Sequence, residues 1–395
     1  MPDLLARAHA LAPQLVAWRR DFHRHPELGF HELRTAGIVA AHLLELGIET
    51  RVGVGKTGVV GLIEGAGPGP TLLLRFDMDA LPIAEATGLP FASATPGIMH
   101  ACGHDGHTAI GMGVAQMLAE TAGEWPGRVK LLFQPAEEGL GGAAATIADG
   151  VLENPAPDFA FALHLWNQLP SGQVIVQSGP LMAAADRFTL SIHGQGGHGA
   201  LPHTTIDAIL VASQAVACLQ SIVSRNLPPH DAAVLSVGSF HAGDAFNVIA
   251  EDATLTGTLR TFDPAVRQQL IRRMEEMLAG ITAAHRARYT LSLADYTPAV
   301  VNDPAAADIA LAAVSSLVAA ERVGAMTPLM VAEDMAEILK RTPGCYLLVG
   351  AQPAGEGREA HHSPRFDFDE AMLPQATAIM AATALQALQR PNWRK

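Results

Sequence analysis

Nine residues, MHACGHDGH (99–107), hold three histidines, a cysteine, an aspartate and two glycines. A hydrophobic core has little use for so many polar groups, and a solvent-exposed loop has little use for a thiol. The chemistry that needs thiolate and imidazole side by side is metal ligation, because both are soft or borderline donors. Further donors fall just after apolar runs elsewhere in the chain. Glu137 and Glu138 follow RVKLLFQ (128–134), His164 ends DFAFALH (158–164), and His361 and His362 lie beyond CYLLVGA (345–351). Asp77 ends TLLLRFD (71–77) and Asp79 comes two residues later.

Short apolar runs bounded by glycine and proline read as buried strands. In an open α/β sheet, ligands bind outside the carboxyl ends of the strands. Separate segments thus bring Cys102, His104, Glu138, His164 and His362 to one predicted edge. That mixture suits zinc, manganese, cobalt or nickel, and does not suit magnesium or calcium. A metal would also keep the Cys102 thiol deprotonated in a polar loop. Gly103 and Gly106 are expected to let the backbone bend so that residues two apart face the same ion. Taken singly, each residue has a plainer reading. A strand-end histidine is usually hydrogen-bonded at the surface, and a Glu-Glu pair is usually solvated. Their joint arrival at one face favours the ligand reading. His23 and His25 read as helix-end residues, and His193, His203 and His230 have no clear partner. Cys218, within ILVASQAVACLQ, and Cys345, at the start of a strand, read as core.

The elements that must position these groups are those of an α/β protein. GVVGLIEG (58–65) adds a strand to those above. Helices are expected over 104–122, over the C-terminal 369–389, and at the N-terminus, where Leu4, Leu5, Leu11, Leu15, Val16 and Trp18 recur at helical spacing. The middle of the chain differs. Strands are expected at 187–194, 232–240, 251–261 and 289–296. One helix spans roughly 205–225, and a second starts at Asp263-Pro264, with Asp as N-cap and Pro in the first turn. The order βαββαβ is that of a ferredoxin-like split unit. The expected fold class is therefore α/β: a metal-binding mixed-sheet catalytic domain, 1–185 with 297–395, carrying an inserted ferredoxin-like domain over 186–296.

Composition narrows the function. The 395 residues are too many for one ordinary core. A formal net charge of −13 argues against nucleic acid as a partner. Three cysteines cannot make a disulfide framework, which points to a reducing compartment. The N-terminus lacks a secretory h-region and cleavage site, and no apolar run reads as long enough to span a membrane. The expectation is a cytoplasmic protein with a small-molecule substrate and no membrane partner.

Taken together the motifs resemble the amidohydrolase family of hippurate hydrolases, N-acyl-amino-acid hydrolases and auxin-conjugate hydrolases, relatives of aminoacylase and of glutamate carboxypeptidases. RRDFHRHPELGFHELRTA (19–36), FDMDALPI, MHACGHDGHT, LLFQPAEEG, HGQGGHGALPHTTIDAI, FNVIAEDATLTGTLRTF, VAEDM and HHSPRFDF follow in the family's order over nearly the whole chain. The resemblance implies two divalent metal ions, with Cys102 bridging them and His104, Glu138, His164 and His362 as the other ligands. It makes Glu137 the general base. The inserted domain becomes a lid that pairs subunits into a homodimer or higher homo-oligomer. His198 of that lid would steady the oxyanion in a neighbouring site, and Asn247 and Arg260 would hold the substrate carboxylate. Asp77 and Asp79 are expected to orient a ligand imidazole from behind. Phe76, Gln195, Ala250, Ala332 and Met335 depart from the family's usual residues. No expected ligand is lost, so these departures bear on substrate rather than on chemistry.

The implied reaction is hydrolysis of an N-acyl amino acid to a carboxylate and a free amino acid. Adjacent side chains on a strand point to opposite sides, so a turn after Gln134-Pro135 must bring both Glu137 and Glu138 to the site. A dipeptidase or carboxypeptidase on the same scaffold is the alternative, and a non-catalytic metal-binding scaffold a weaker one. A zinc deaminase is excluded by the lack of His-x-Glu followed by Pro-Cys-x-x-Cys.

Overall fold

The computed structural model describes residues 4–355 and 359–390. The expected first domain runs to both chain ends, so its outermost residues lie outside the described ones. The chain divides into two compact units. The first comprises the chain through Leu181, Val301–Thr327 and the chain from Asp334; the second comprises Met182–Val300 and Pro328–Glu333.

The first unit is built on a mixed eight-stranded sheet. Its spatial order is Glu49–Val54, Gly58–Glu64, Arg128–Gln134, Thr71–Asp77, Phe159–Trp166, Gly344–Gly350, Val174–Ile175 and Val323–Gly324. Thr71–Asp77 lies parallel to both Arg128–Gln134 and Phe159–Trp166, and Gly344–Gly350 lies parallel to Phe159–Trp166. Thr71–Asp77, Phe159–Trp166 and Gly344–Gly350 are buried along their whole length. A parallel sheet covered on both faces demands this, and it explains why these segments read as continuous apolar runs. The covering helices include Ala12–Arg24, His104–Ala119 and Met372–Leu388, whose apolar residues share one core with the strands. The expected N-terminal helix is two helices, Leu4–Ala10 and Ala12–Arg24, with Pro13 in the first turn of the second.

The second unit has four antiparallel strands in the spatial order Ala233–Ala242, Asp252–Thr261, Ala184–His193, Arg288–Thr297. Ala208–Asn226 and Pro264–His285 are its helices, and both feed one core with Phe188, Leu190, Ile192 and Leu255. The Asp263 carboxylate accepts from Ala265 N at 2.7 Å, the cap expected from Asp-Pro. Two expectations need correction here. Ala208–Asn226, 19 residues with a mean hydropathy of 1.4, is long and apolar enough to cross a membrane by those measures. It is one-third buried, and Ala208, Val211, Ala212, Ala215, Leu219 and Ile222 pack into the core of the four-stranded unit. Cys218 is exposed rather than core, because it points off this helix away from that buried stripe. Cys345 is buried as expected.

Candidate active site

The strand ends deliver the expected donors to one place. Donor atoms of Cys102, His104 and His164 lie within 4.8 Å of one another, as do those of Cys102, Glu138 and His362. Cys102 belongs to both groups. His104, Glu137 and Glu138 form a third group of the same size.

Backbone geometry makes the convergence possible. Gly103 has φ 94° and caps the helix His104–Ala119, so the chain turns sharply between Cys102 and His104. Gly106 plays a different part from the one expected. It is helical, and a Cβ there would stand 2.6 Å from Phe368 and 2.8 Å from Leu165, so its smallness allows close packing rather than a bend. Gly111 makes similar room for Phe76, the residue that departs from the family pattern: a Cβ would sit 2.7 Å from that ring. The strand Arg128–Gln134 ends where a turn was required. Ala136 adopts φ 55°, and this left-handed step breaks the strand alternation before Glu137 and Glu138. His362 has φ 67°, and its N–H donates to Ala101 O at 2.8 Å, which ties its loop to the Cys102 segment. His361 turns elsewhere: its Nε2 donates to Leu165 O at 3.2 Å and its ring lies against Trp166.

Two imidazoles are held in one orientation. His104 Nδ1 donates to Asp79 O at 2.9 Å and lies 3.2 Å from Asp79 Oδ1; His164 Nδ1 donates to Leu165 O at 2.8 Å. In the neutral form of each ring, the form that ligates a metal, Nε2 carries the lone pair. For His164 it faces Cys102 Sγ at 3.4 Å. For His104 it is buried without a hydrogen-bond partner among the described residues. Asp79 also accepts from Glu138 N at 2.9 Å, so one carboxylate supports two donors. Asp77 faces two imidazoles: its Oδ2 lies 3.8 Å from His104 Nε2, and it also serves His107. Its Oδ1 accepts from His107 Nδ1 at 2.6 Å, and His107 Nε2 accepts from Leu165 N at 2.9 Å. Both nitrogens of His107 are therefore used within the protein.

The electrostatics of the cluster call for a cation. Burial works against a charged His104, yet Asp77 and Asp79 hold its pKa well above the usual range. Hydrogen bonding to Cys102 and Glu138 lifts His362 to about 10. Burial pushes the Cys102 thiol up, helped by the Glu138 charge, and burial with neighbouring imidazoles drives His164 down. Anions and an orphaned Nε2 around one thiol are the surroundings that a divalent ion satisfies. The residues fit such a group.

Several supporting residues gave no sequence signal of their own. Glu32 is buried; its Oε1 accepts from Ala136 N at 2.9 Å and its Oε2 accepts from the Thr57 hydroxyl. It thereby pins the left-handed residue before Glu137. Arg75, in the middle of an apolar strand, donates to Asp77 Oδ2 (2.6 Å), Gln134 Oε1 (2.9 Å) and Asp334 Oδ1 (2.9 Å). On the far side of His104, Arg19 donates to Asp105, Asp367 and Glu370, and His23 lies between Asp105 at 2.8 Å and Glu85 at 3.3 Å. His23 is thus a buried ionic residue as well as a helix-end one.

Within the second unit, His198 is exposed on the short strand Gly197–His198, which pairs with Val248–Ile249, and its Nδ1 accepts from Ala200 N at 3.0 Å. Asn247 is exposed beside it, its carbonyl accepting from Gly199 N at 2.8 Å. Arg260 opposes Ala185 on the strand Asp252–Thr261 and is half-buried, and its side chain makes no hydrogen bond or ion pair among the described residues. Its neighbour Asp186 is engaged by Arg267 at 2.6 Å.

The model of the peptidase family M20/M25/M40 matches residues 73–386. The chain belongs to that family. It is an enzyme, an amidohydrolase of the M20/M25/M40 type. A provisionally named amidohydrolase of Bacillus subtilis (strain 168) is 44% identical over 94% of this chain and 94% of its own. The N-acetyl-L-cysteine deacetylase of the same organism is 40% identical over 96% of this chain and 89% of its own. A solved Bacillus subtilis structure, described as a dinuclear metal binding peptidase of family M20, is 36% identical. It superposes with a TM-score of 0.85, covering 97% of this chain and 99% of that one.

Proposed function

We propose that this M20/M25/M40 enzyme cleaves the amide bond of N-acyl amino acids in a metal-dependent reaction. The observation that carries the reading is the paired donor groups sharing Cys102, with the Nε2 of His104 buried beside them and without a hydrogen bond among the described residues. Cys102, His104, Glu138, His164 and His362 would hold two divalent ions of zinc, manganese, cobalt or nickel. When bound, the ions lower the pKa of water from about 16 towards 7. Glu137 takes the proton from the attacking water and passes it to the leaving amine. His198 donates to the carbonyl oxygen as it gains charge. Arg260, a guanidinium with no ion-pair partner among the described residues, clamps the substrate carboxylate and Asn247 assists. The second unit acts as a ferredoxin-like lid through which two chains pair. A peptidase acting on a free C-terminus is the second reading, because the same clamp recognises that carboxylate and one relative is described as a peptidase.

The test is metal-free protein reloaded separately with zinc, manganese, cobalt and nickel. Release of free amino acid is followed on N-acetyl, N-benzoyl and longer N-acyl amino acids, with dipeptides alongside. Metal-dependent turnover of the N-acyl set is expected. Dipeptide cleavage without it transfers the enzyme to the peptidase reading, and silence on both removes this substrate class.

A further inference from the structure

Arg75 and Asp334 are buried charges for which core packing alone gives no reason. Arg75 is 1% exposed in the middle of the strand Thr71–Asp77. An ion pair at such depth is seldom better for stability than apolar side chains of the same volume. The pair sits instead in a continuous run of hydrogen bonds. Leu165 N donates to His107, His107 donates to Asp77, and Arg75 donates to Asp77 and to Asp334. The Asp334 carboxylate is saturated from three directions: Arg75 and Gln134 (2.8 Å) on Oδ1, and Ala143 N (2.8 Å) on Oδ2. Its backbone N–H then donates to Glu137 Oε1 at 3.3 Å. The location of that amide is telling. Pro328–Glu333 groups with the second unit, and Asp334 is the first residue back in the first. The Asp334 carbonyl accepts from Glu337 N at 2.9 Å at the start of the helix Met335–Leu339, and the side-chain clamp adds long-range anchors to Arg75, Gln134 and Ala143.

We infer that Arg75 and Asp334 are positioning residues for the reaction: the clamp fixes a backbone amide on Glu137 and so sets the rotamer in which its carboxylate meets the water. This rests on the reading of Glu137 as general base. A displacement of about 1 Å at a reacting group can cost on the order of 10²-fold in rate. Ligand atoms are untouched, so metal loading and substrate binding stay in place.

The experiment uses the full-length, metal-loaded enzyme and whichever substrate the wild type turns over. Arg75→Met and Asp334→Asn are expected to lower kcat roughly 10- to 100-fold, with KM within about twofold and metal content per chain equal to wild type. The double variant should be little worse than either single, because both break one chain of contacts. Gln134→Met, which removes a neutral member of the clamp and leaves the Arg75–Asp334 ion pair intact, keeps the inference testable if the ionic variants fold poorly; a few-fold loss in kcat alone is expected. Unchanged kcat in all three, or a loss of kcat together with metal content, overturns it. Glu137→Gln is the control that separates the two claims. If that variant keeps wild-type turnover, the base assignment and this inference fall together. If it is inactive while the clamp variants keep full kcat, only the inference falls.

Discussion

The buried imidazole of His23 should make the stability of the first unit depend on pH in alkaline solution. Burial disfavours its charged form, but hydrogen bonds to Asp105 and Glu85 more than offset this and raise its pKa to about 9 from 6.5. Below pH 6.5 folded and unfolded chains are both protonated, and the full stabilisation is present. Above about 9 both are neutral, and it is gone. At about 1.4 kcal/mol per pH unit, the interval withdraws roughly 3 kcal/mol as pH rises. The assay is urea unfolding of wild type and His23→Gln at pH 6 to 9.5, read by tryptophan fluorescence. The second unit contains no tryptophan, so the signal reports the unit that holds His23. The wild-type free energy should fall across this range by about 3 kcal/mol more than that of His23→Gln. Parallel curves for the two proteins would refute the reasoning, because they would mean that folding does not raise the pKa of His23.

Gly106→Ala places a Cβ against Phe368 and Leu165 and should destabilise by about 1–3 kcal/mol; a thermal midpoint equal to wild type would contradict the packing argument. Arg260→Ala should reduce kcat/KM for substrates ending in a carboxylate by roughly 10- to 100-fold, the worth of a charged hydrogen bond. Equal losses on the matching amides would remove the clamp. If His198 serves the site of a partner chain, inactive Glu137→Gln and His198→Ala enzymes should regain activity when mixed and allowed to exchange subunits. Mixing with proven exchange and no recovery would end that proposal.

The sequence makes the donors legible because metal ligation restricts residue types so severely, and because apolar runs announce the strands that end beside them. A cysteine next to histidines has few other uses. The choice between His361 and His362 is not visible in the same way. It depends on the left-handed backbone of His362, which no residue type demands, and on the Leu165 carbonyl that takes His361. The turn at Ala136 follows from strand alternation, but Glu32, more than a hundred residues earlier, holds it. Arg19, Arg75 and Asp334 share this opacity. A charge in a sequence looks solvated until the fold supplies its partner, and those partners lie in segments far away along the chain. Gly106 misleads for a related reason: glycine serves both bends and close contacts, and only the neighbours Phe368 and Leu165 decide between them.

The place of Gly344–Gly350 in the sheet governs how this protein can be made. That strand lies between Phe159–Trp166 and Val174–Ile175. It leaves the ribosome after every residue of the second unit has been synthesised. Until then Phe159–Trp166 presents an unpaired apolar edge, the kind of surface that chaperones shield and that nascent chains aggregate through. His362 follows later still, so the donor set closes only after Gly344–Gly350 has been made. A chain stopped before residue 344 lacks the middle of its sheet rather than a dispensable margin. A chain that stops between Gly344–Gly350 and His362 has the whole sheet but an incomplete donor set.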